Sequence, residues 1–356
     1  MTDRLSAIRA CFDEWQVDAL LLSSPANRRW ASGFTGSAAQ LLISRQRAVL
    51  ATDSRYWERA AAEAPAYEIF QMRDEKDAMA NFLALAGAKC IGIEAAHVTL
   101  ARQAALDKHE EMTWVPLAAT VESLRAVKSA DELAAIRAAA RLTDATVAQV
   151  PQLARPGVSE RAVAWELEKF MREAGAEATA FDIIVASGPH SALPHHHPGE
   201  RLLQAGDMVI VDLGAQLDGY KSDLTRTFYL GETPDDAFWS LYNTVEQAHG
   251  AAIAGIRPGV TGKDVDALAR DLITAAGHGD HFGHGTGHGV GLEIHEEPRF
   301  SRLAEKTIIP AGAVMTVEPG IYLPGFGGVR IEDLLLVTPD GAEYLSAAPK
   351  SPLIAI

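Results

Sequence analysis

The chain has 356 residues, a length that suggests about two domains, and 48% of them are hydrophobic, enough for real cores. Its 32 Lys and Arg against 47 Asp and Glu give a net charge of −15, which argues against a nucleic-acid backbone as partner, since phosphate binding needs a basic face. Two cysteines, Cys11 and Cys90, exclude a disulfide framework; with no signal-peptide core and no apolar run reaching the roughly 18 residues of a membrane span, a cytoplasmic protein without a membrane partner is expected.

In chain order, DALLLS (18–23), AQLLIS (39–44) and AVLAT (48–52) read as short strands, and CIGIE (90–94) as another after a helical stretch from Asp74 to Leu85. This mixture predicts a small α/β domain over residues 1–126. LRAVKSADELAAIRAA (124–139) then starts a long helix, with Ser129 and Glu132 in capping-box spacing. It opens a second domain, 127–356.

The second domain carries an internal repeat. RPGVSERAVAWELEKFMREAG (155–175) and RPGVTGKDVDALARDLITAAG (257–277) share the opening Arg-Pro-Gly-Val, a hydroxyl at the cap (Ser159, Thr261), a valine (Val163, Val265) and a closing Ala-Gly. Both read as turn, N-cap, amphipathic helix and glycine stop. A strand–turn–strand segment follows each copy: MVIVDLGAQLDGYKSDLTRTFYLG (208–231) and VMTVEPGIYLPGFGGVRIEDLLLVT (314–338). The first holds Asp212 and Asp223, the second Glu318 and Glu332. Their offsets, 106 and 109, lie close to the 102 separating the helical copies.

Asp218-Gly219 is a strong two-residue hairpin signal. With that loop, residue 212 faces 225, and 223 lies diagonal to 212 on the same face, within shared reach of one ligand. All four acids are flanked by apolar residues, where an uncompensated carboxylate costs several kcal/mol. Arg226 and Arg330 could neutralise only part of that charge, so divalent metal is the economical partner, with a histidine completing the set. GHGTGHGVGLEIHEEP (283–298) supplies His284, His288 and His295 among alternating glycines, which allow close approach of backbone or ligand. The oxygen-rich set predicts two divalent ions, manganese first, with Co, Fe and Zn as alternatives.

VDLGAQLDGYKSDLTRT, GHGVGLEIHEEP, TVEPGIY and GVRIED together resemble the metallopeptidases of the "pita-bread" fold, which include methionine aminopeptidase, aminopeptidase P and prolidase. The resemblance covers about 128–356. It implies an α+β chain: a pita-bread catalytic domain preceded by a smaller α/β domain like that of creatinase. It implies Asp212, Asp223, His288, Glu318 and Glu332 as metal ligands, with Glu318 also the proton shuttle. It makes His295 the group at the scissile carbonyl and sets His284 and His195, the latter in SALPHHHP, on the substrate side. His196 and His197 read as solvated loop residues. Arg330 is a candidate substrate contact, though a salt bridge to a metal-site carboxylate suits it better. His288 and His295 are seven apart, so in one unbroken strand they would face opposite ways, and a bulge or bend is expected between them, at the Gly-rich part.

The N-terminal domain disfavours methionine aminopeptidase, and the resemblance gives that domain a part in oligomerisation and pocket closure, with a homodimer or tetramer expected. NRRWASGFTGS (27–37) and ATDSRYWERA (51–60) look like aminopeptidase P. The expected reaction is release of the first residue from peptides with proline second, through a metal-bridging hydroxide. The alternative is prolidase, which acts on Xaa-Pro dipeptides and needs a cation to hold the dipeptide carboxylate. A non-catalytic pita-bread binding module is a third reading, against which the full ligand set argues.

Overall fold

In the first 125 residues the apolar runs become strands of one sheet. The protein, here a computed structural model, is described over residues 2–356 and divides into two units, Met1–Arg125 and Ala126–Ile356. The six strands of the first unit lie in the order Glu68–Gln71, Ala48–Thr52, Gln40–Ser44, Ala19–Leu22, Cys90–Glu94, Thr113–Leu117. Ala19–Leu22 is buried throughout, antiparallel to Gln40–Ser44 and parallel to Cys90–Glu94. A strand covered on both faces reads as a continuous apolar run, not an alternating one. The helix expected from Asp74 begins only at Ala78 and brings Phe82 and Leu83 to the core with Ile91 and Ile93. Cys11 and Cys90 are free thiols.

The second unit begins on a capped helix. Ser129 Oγ accepts from the Glu132 N–H, and the Glu132 carboxylate accepts from the Ser129 N–H, so helix Ala130–Val147 starts at the cap and not at Leu124. Both copies of the repeat fold alike. Gly157 and Gly259 turn the chain at φ +88° and +89°, Ser159 and Thr261 cap helices Glu160–Glu173 and Gly262–Ala275, and Gly175 and Gly277 follow their ends at positive φ. Each helix backs its own sheet. Val163, Leu167 and Met171 share a core with Val209 and Val211, whereas Val265, Ala269 and Ile273 share one with Met315, Val317 and Leu335. One sheet runs Leu353–Ile354, Leu224–Leu230, Met208–Leu213, Ile184–Ser187. The other runs Glu296–Phe300, Gly287–Gly289, Val314–Val317, Asp333–Thr338, Gly341–Tyr344. The architecture is the expected α+β one. No helix among the described residues is long and apolar enough to cross a membrane.

Candidate metal centre

The four acids sit at strand ends of the two sheets. Asp218 and Gly219 both take positive φ, +44° and +70°, the conformation a tight hairpin turn requires. The register follows from that loop: Leu217 pairs with Tyr220 and, further down, Asp212 with Thr225, as expected. In the second sheet Val317 pairs with Asp333, which puts Glu318 and Glu332 at corresponding positions just beyond the ladder.

The ligand atoms of Asp223, His288 and Glu332 all lie within 4.8 Å of one another. His288 Nε2 is 3.3 Å from Glu318 Oε1 and 3.6 Å from Asp223 Oδ2. Its Nδ1–H donates to the Gly289 carbonyl at 3.1 Å, which leaves a bare lone pair on Nε2 facing carboxylates. Arg330 donates to Asp212 Oδ2 at 2.7 Å, while Asp212 Oδ1 is buried with no hydrogen-bond partner. Burial first, then the neighbouring carboxylates, pushes Asp223 and Glu332 far above the usual carboxylate range. Burial likewise lifts Glu318 to about 7 and lowers His288 to about 4. An imidazole lone pair aimed at anions, an orphaned carboxylate oxygen and four acids around one guanidinium fit a bound cation. Arg226 contributes nothing here. Contrary to the sequence reading, its guanidinium pairs with Asp333 at 2.7 Å and donates to the backbone carbonyl of Glu332.

Of the two expected reasons for the glycines beside His288, close approach of backbone and close approach of a ligand, the structure shows the first. A Cβ on Gly287 would run into the Thr316 carbonyl, and one on Gly289 would lie 2.6 Å from the Glu297 carbonyl. They let the strand nest between its neighbours rather than against a ligand. The expected irregularity is present. His288 pairs with Arg299, but Gly289 pairs with Glu296, so the register shifts immediately after His288. The chain also reverses between these two strands, and the His288 and His295 rings stand 4.4 Å apart, edge to face.

A cavity of about 480 Å³ opens over these acids, lined also by His195, His284, His295, Arg299 and Arg330. Every site residue named from the sequence therefore reaches one cavity. His284 stands there as a wall: its Nδ1–H donates to the Gly285 carbonyl, and its Nε2 accepts from the Tyr322 hydroxyl, both at 2.8 Å. Arg330 is buried and donates to Asp212, Tyr322, Thr225 and the Pro194 carbonyl, the salt-bridge role rather than that of a free substrate contact. Three participants escaped the sequence reading. Tyr322 joins His284 to Arg330, Thr225 donates to Glu332 at 2.7 Å, and Arg299 is an exposed cation on the cavity wall. Arg299 lies four residues after His295, but only the strand register shows that it stands opposite His288, and its ion pair is with the exposed Glu297 at 3.3 Å.

Residues 134–339 match the model of metallopeptidase family M24, and residues 4–127 that of the creatinase/prolidase N-terminal domain. The chain is 42% identical to the Xaa-Pro dipeptidase from Bacillus anthracis, with a TM-score of 0.96 over 100% of this chain and 99% of that one. It is 36% identical to the Xaa-Pro dipeptidase of Pyrococcus horikoshii over 97% of both chains. It is 34% identical to the X-Pro aminopeptidase from Thermotoga maritima, with a TM-score of 0.90 over 99% of this chain and 100% of that one.

Proposed function

The chain belongs to metallopeptidase family M24, and from that premise we propose that it is an Xaa-Pro dipeptidase, hydrolysing the bond before proline in dipeptides. Two relatives named for that activity support this over the aminopeptidase reading of the sequence. The observation that carries it is Arg299, a cation on the cavity wall that stands opposite His288 in the strand ladder and is ion-paired with the exposed Glu297 at 3.3 Å, not with the buried acids. A dipeptide has its carboxylate within one residue of the scissile bond, and a guanidinium there holds it.

Asp212, Asp223, His288, Glu318 and Glu332 would hold two divalent ions, manganese being the first candidate for an oxygen-rich set with one imidazole. When bound, such ions polarise the scissile carbonyl and supply a nucleophilic water at neutral pH. Arg330 fixes Asp212, and Thr225 fixes Glu332, so both carboxylates are oriented before substrate arrives. Glu318, with Oε1 3.3 Å from His288 Nε2, would accept the water's proton and return it to the leaving proline nitrogen. His295 stands beside His288 at the reacting carbonyl, and His195 and His284 close the substrate side.

Manganese-loaded protein, with a chelated control, is to be incubated with an Xaa-Pro dipeptide and with a longer Xaa-Pro-led peptide. Metal-dependent cleavage of the dipeptide is expected. Cleavage of the longer peptide alone would return the protein to the aminopeptidases.

A further inference from the structure

A second group of ligand-type side chains converges outside the acidic centre. Glu160, the first residue of helix Glu160–Glu173, is fully buried. Its Oε1 accepts from the Ser187 N–H at 2.8 Å and the Ser187 hydroxyl at 2.7 Å, and its Oε2 from the Gly199 N–H at 3.2 Å. A carboxylate offers about four lone-pair positions, so these bonds leave one. Two imidazoles converge on it. His190 Nδ1 lies 3.0 and 3.2 Å from the two oxygens, and His196 Nε2 lies 2.8 Å from Oε2.

The two rings stand only 4.3 Å apart, tilted by 35°. Two N–H donors would crowd a single acceptor position, and two imidazolium charges at that separation repel. The nearby Arg201 does not resolve this, because it is paired with Asp207 at 2.6 and 2.9 Å and donates to Ser187, not to Glu160. One cation in place of both protons does: each neutral ring turns a lone pair inward and the carboxylate supplies the charge.

We propose that Glu160, His190 and His196 form a binding site for one divalent ion of the zinc class, separate from the acidic centre. Two imidazole nitrogens and one carboxylate oxygen suit zinc, and the half-exposed His190 leaves a side open for water as fourth ligand. Bonds of roughly 2.0–2.1 Å in a tetrahedron put ligand atoms roughly 3.3 Å apart, so each imidazole–carboxylate pair needs to widen by only a few tenths of an ångström, and all three ligand atoms already lie within 4.8 Å of one another. His195 and His196 both line the cavity over the acids, so an ion held by His196 clasps the loop that carries His195. His197, exposed on that loop, is not part of the site.

The site does not depend on the peptidase reading, and its test does not use activity. Zinc content after dialysis against a fixed low free Zn²⁺ is to be compared in the wild type, His190→Ala, His196→Asn and Asp223→Ala. The two histidine variants are expected to hold about one equivalent per chain less than the wild type. The same difference should appear when His190→Ala is added to Asp223→Ala, which separates this ion from those at the acidic centre. Amide exchange across residues 188–199 should slow on adding Zn²⁺ to the wild type and not to His190→Ala. Equal zinc in the wild type and both histidine variants, or loop exchange that ignores zinc, would overturn the proposal.

Discussion

At the residue scale the site divides into groups that hold charge and groups that move it. Glu318 does both in the proposed mechanism, and a substitution separates the two. Glu318→Gln keeps a side-chain oxygen and the volume, so metal content is expected to stay near wild type while kcat falls by about 10²–10⁴, the usual worth of a positioned acid–base. Turnover near wild type would remove the proton-transfer role. In the same proposal Arg299 acts on binding alone. Arg299→Ala is expected to raise KM for an Xaa-Pro dipeptide by about 10–100-fold, in line with about 1.5–3 kcal/mol for a charged hydrogen bond, and to leave kcat much less affected. Steady-state kinetics with an unchanged KM would leave the carboxylate without its clamp.

At the scale of elements, the glycine run is a packing device. Gly287 has a neighbouring backbone carbonyl where a Cβ would go, whereas Gly283 has open space. Gly287→Ala is therefore expected to destabilise the second unit by about 1–3 kcal/mol in denaturant unfolding, and Gly283→Ala to stay within about 0.5 kcal/mol of wild type. Equal effects would mean that the run is a flexible segment and not a wedged strand. The same elements show what a sequence exposes. The Asp212–Thr225 register was readable because a two-residue loop fixes every pair above it; parity required only a break between His288 and His295, and there the chain reverses as well as shifting register after His288. The edge strands Glu68–Gln71 and Thr113–Leu117 were not, since the first has only Ile69 and Phe70 between polar ends and the second carries Pro116, which argues against a strand. Arg299 stayed hidden because the bulge that puts it opposite His288 shifts the register by an amount that parity does not give. Arg226 was misassigned for a related reason. It sits one residue beyond Thr225, on the opposite face from the acids, where Asp333 meets it.

For the whole molecule, the acidic centre makes stability depend on both metal and pH. From the protein's own groups, Asp223, Glu332 and Glu318 have folded pKa values raised above their unfolded ones, Glu318 from 4.5 to about 7. Between those values the folded chain binds more protons than the unfolded chain, so the contribution of these groups to stability falls as pH rises through that window. A bound cation reverses the balance by favouring the ionised carboxylates, and its affinity weakens in acid because protons compete for the same oxygens. Stability of the chelated protein thus falls with rising pH while stabilisation by metal grows, so the gap between them widens towards pH 8. Chelation is expected to cost little at pH 5.5. At pH 8, with free metal at about 100 times Kd, it should cost about 2.7 kcal/mol. For a unit of this size that is a fall in Tm of about 5–10 °C. Thermal unfolding with and without chelator at the two pH values measures the difference directly. A metal-dependent gap in Tm that is the same at both would mean that the carboxylates are ionised without the cation, and that the charge they hold is balanced by the protein itself.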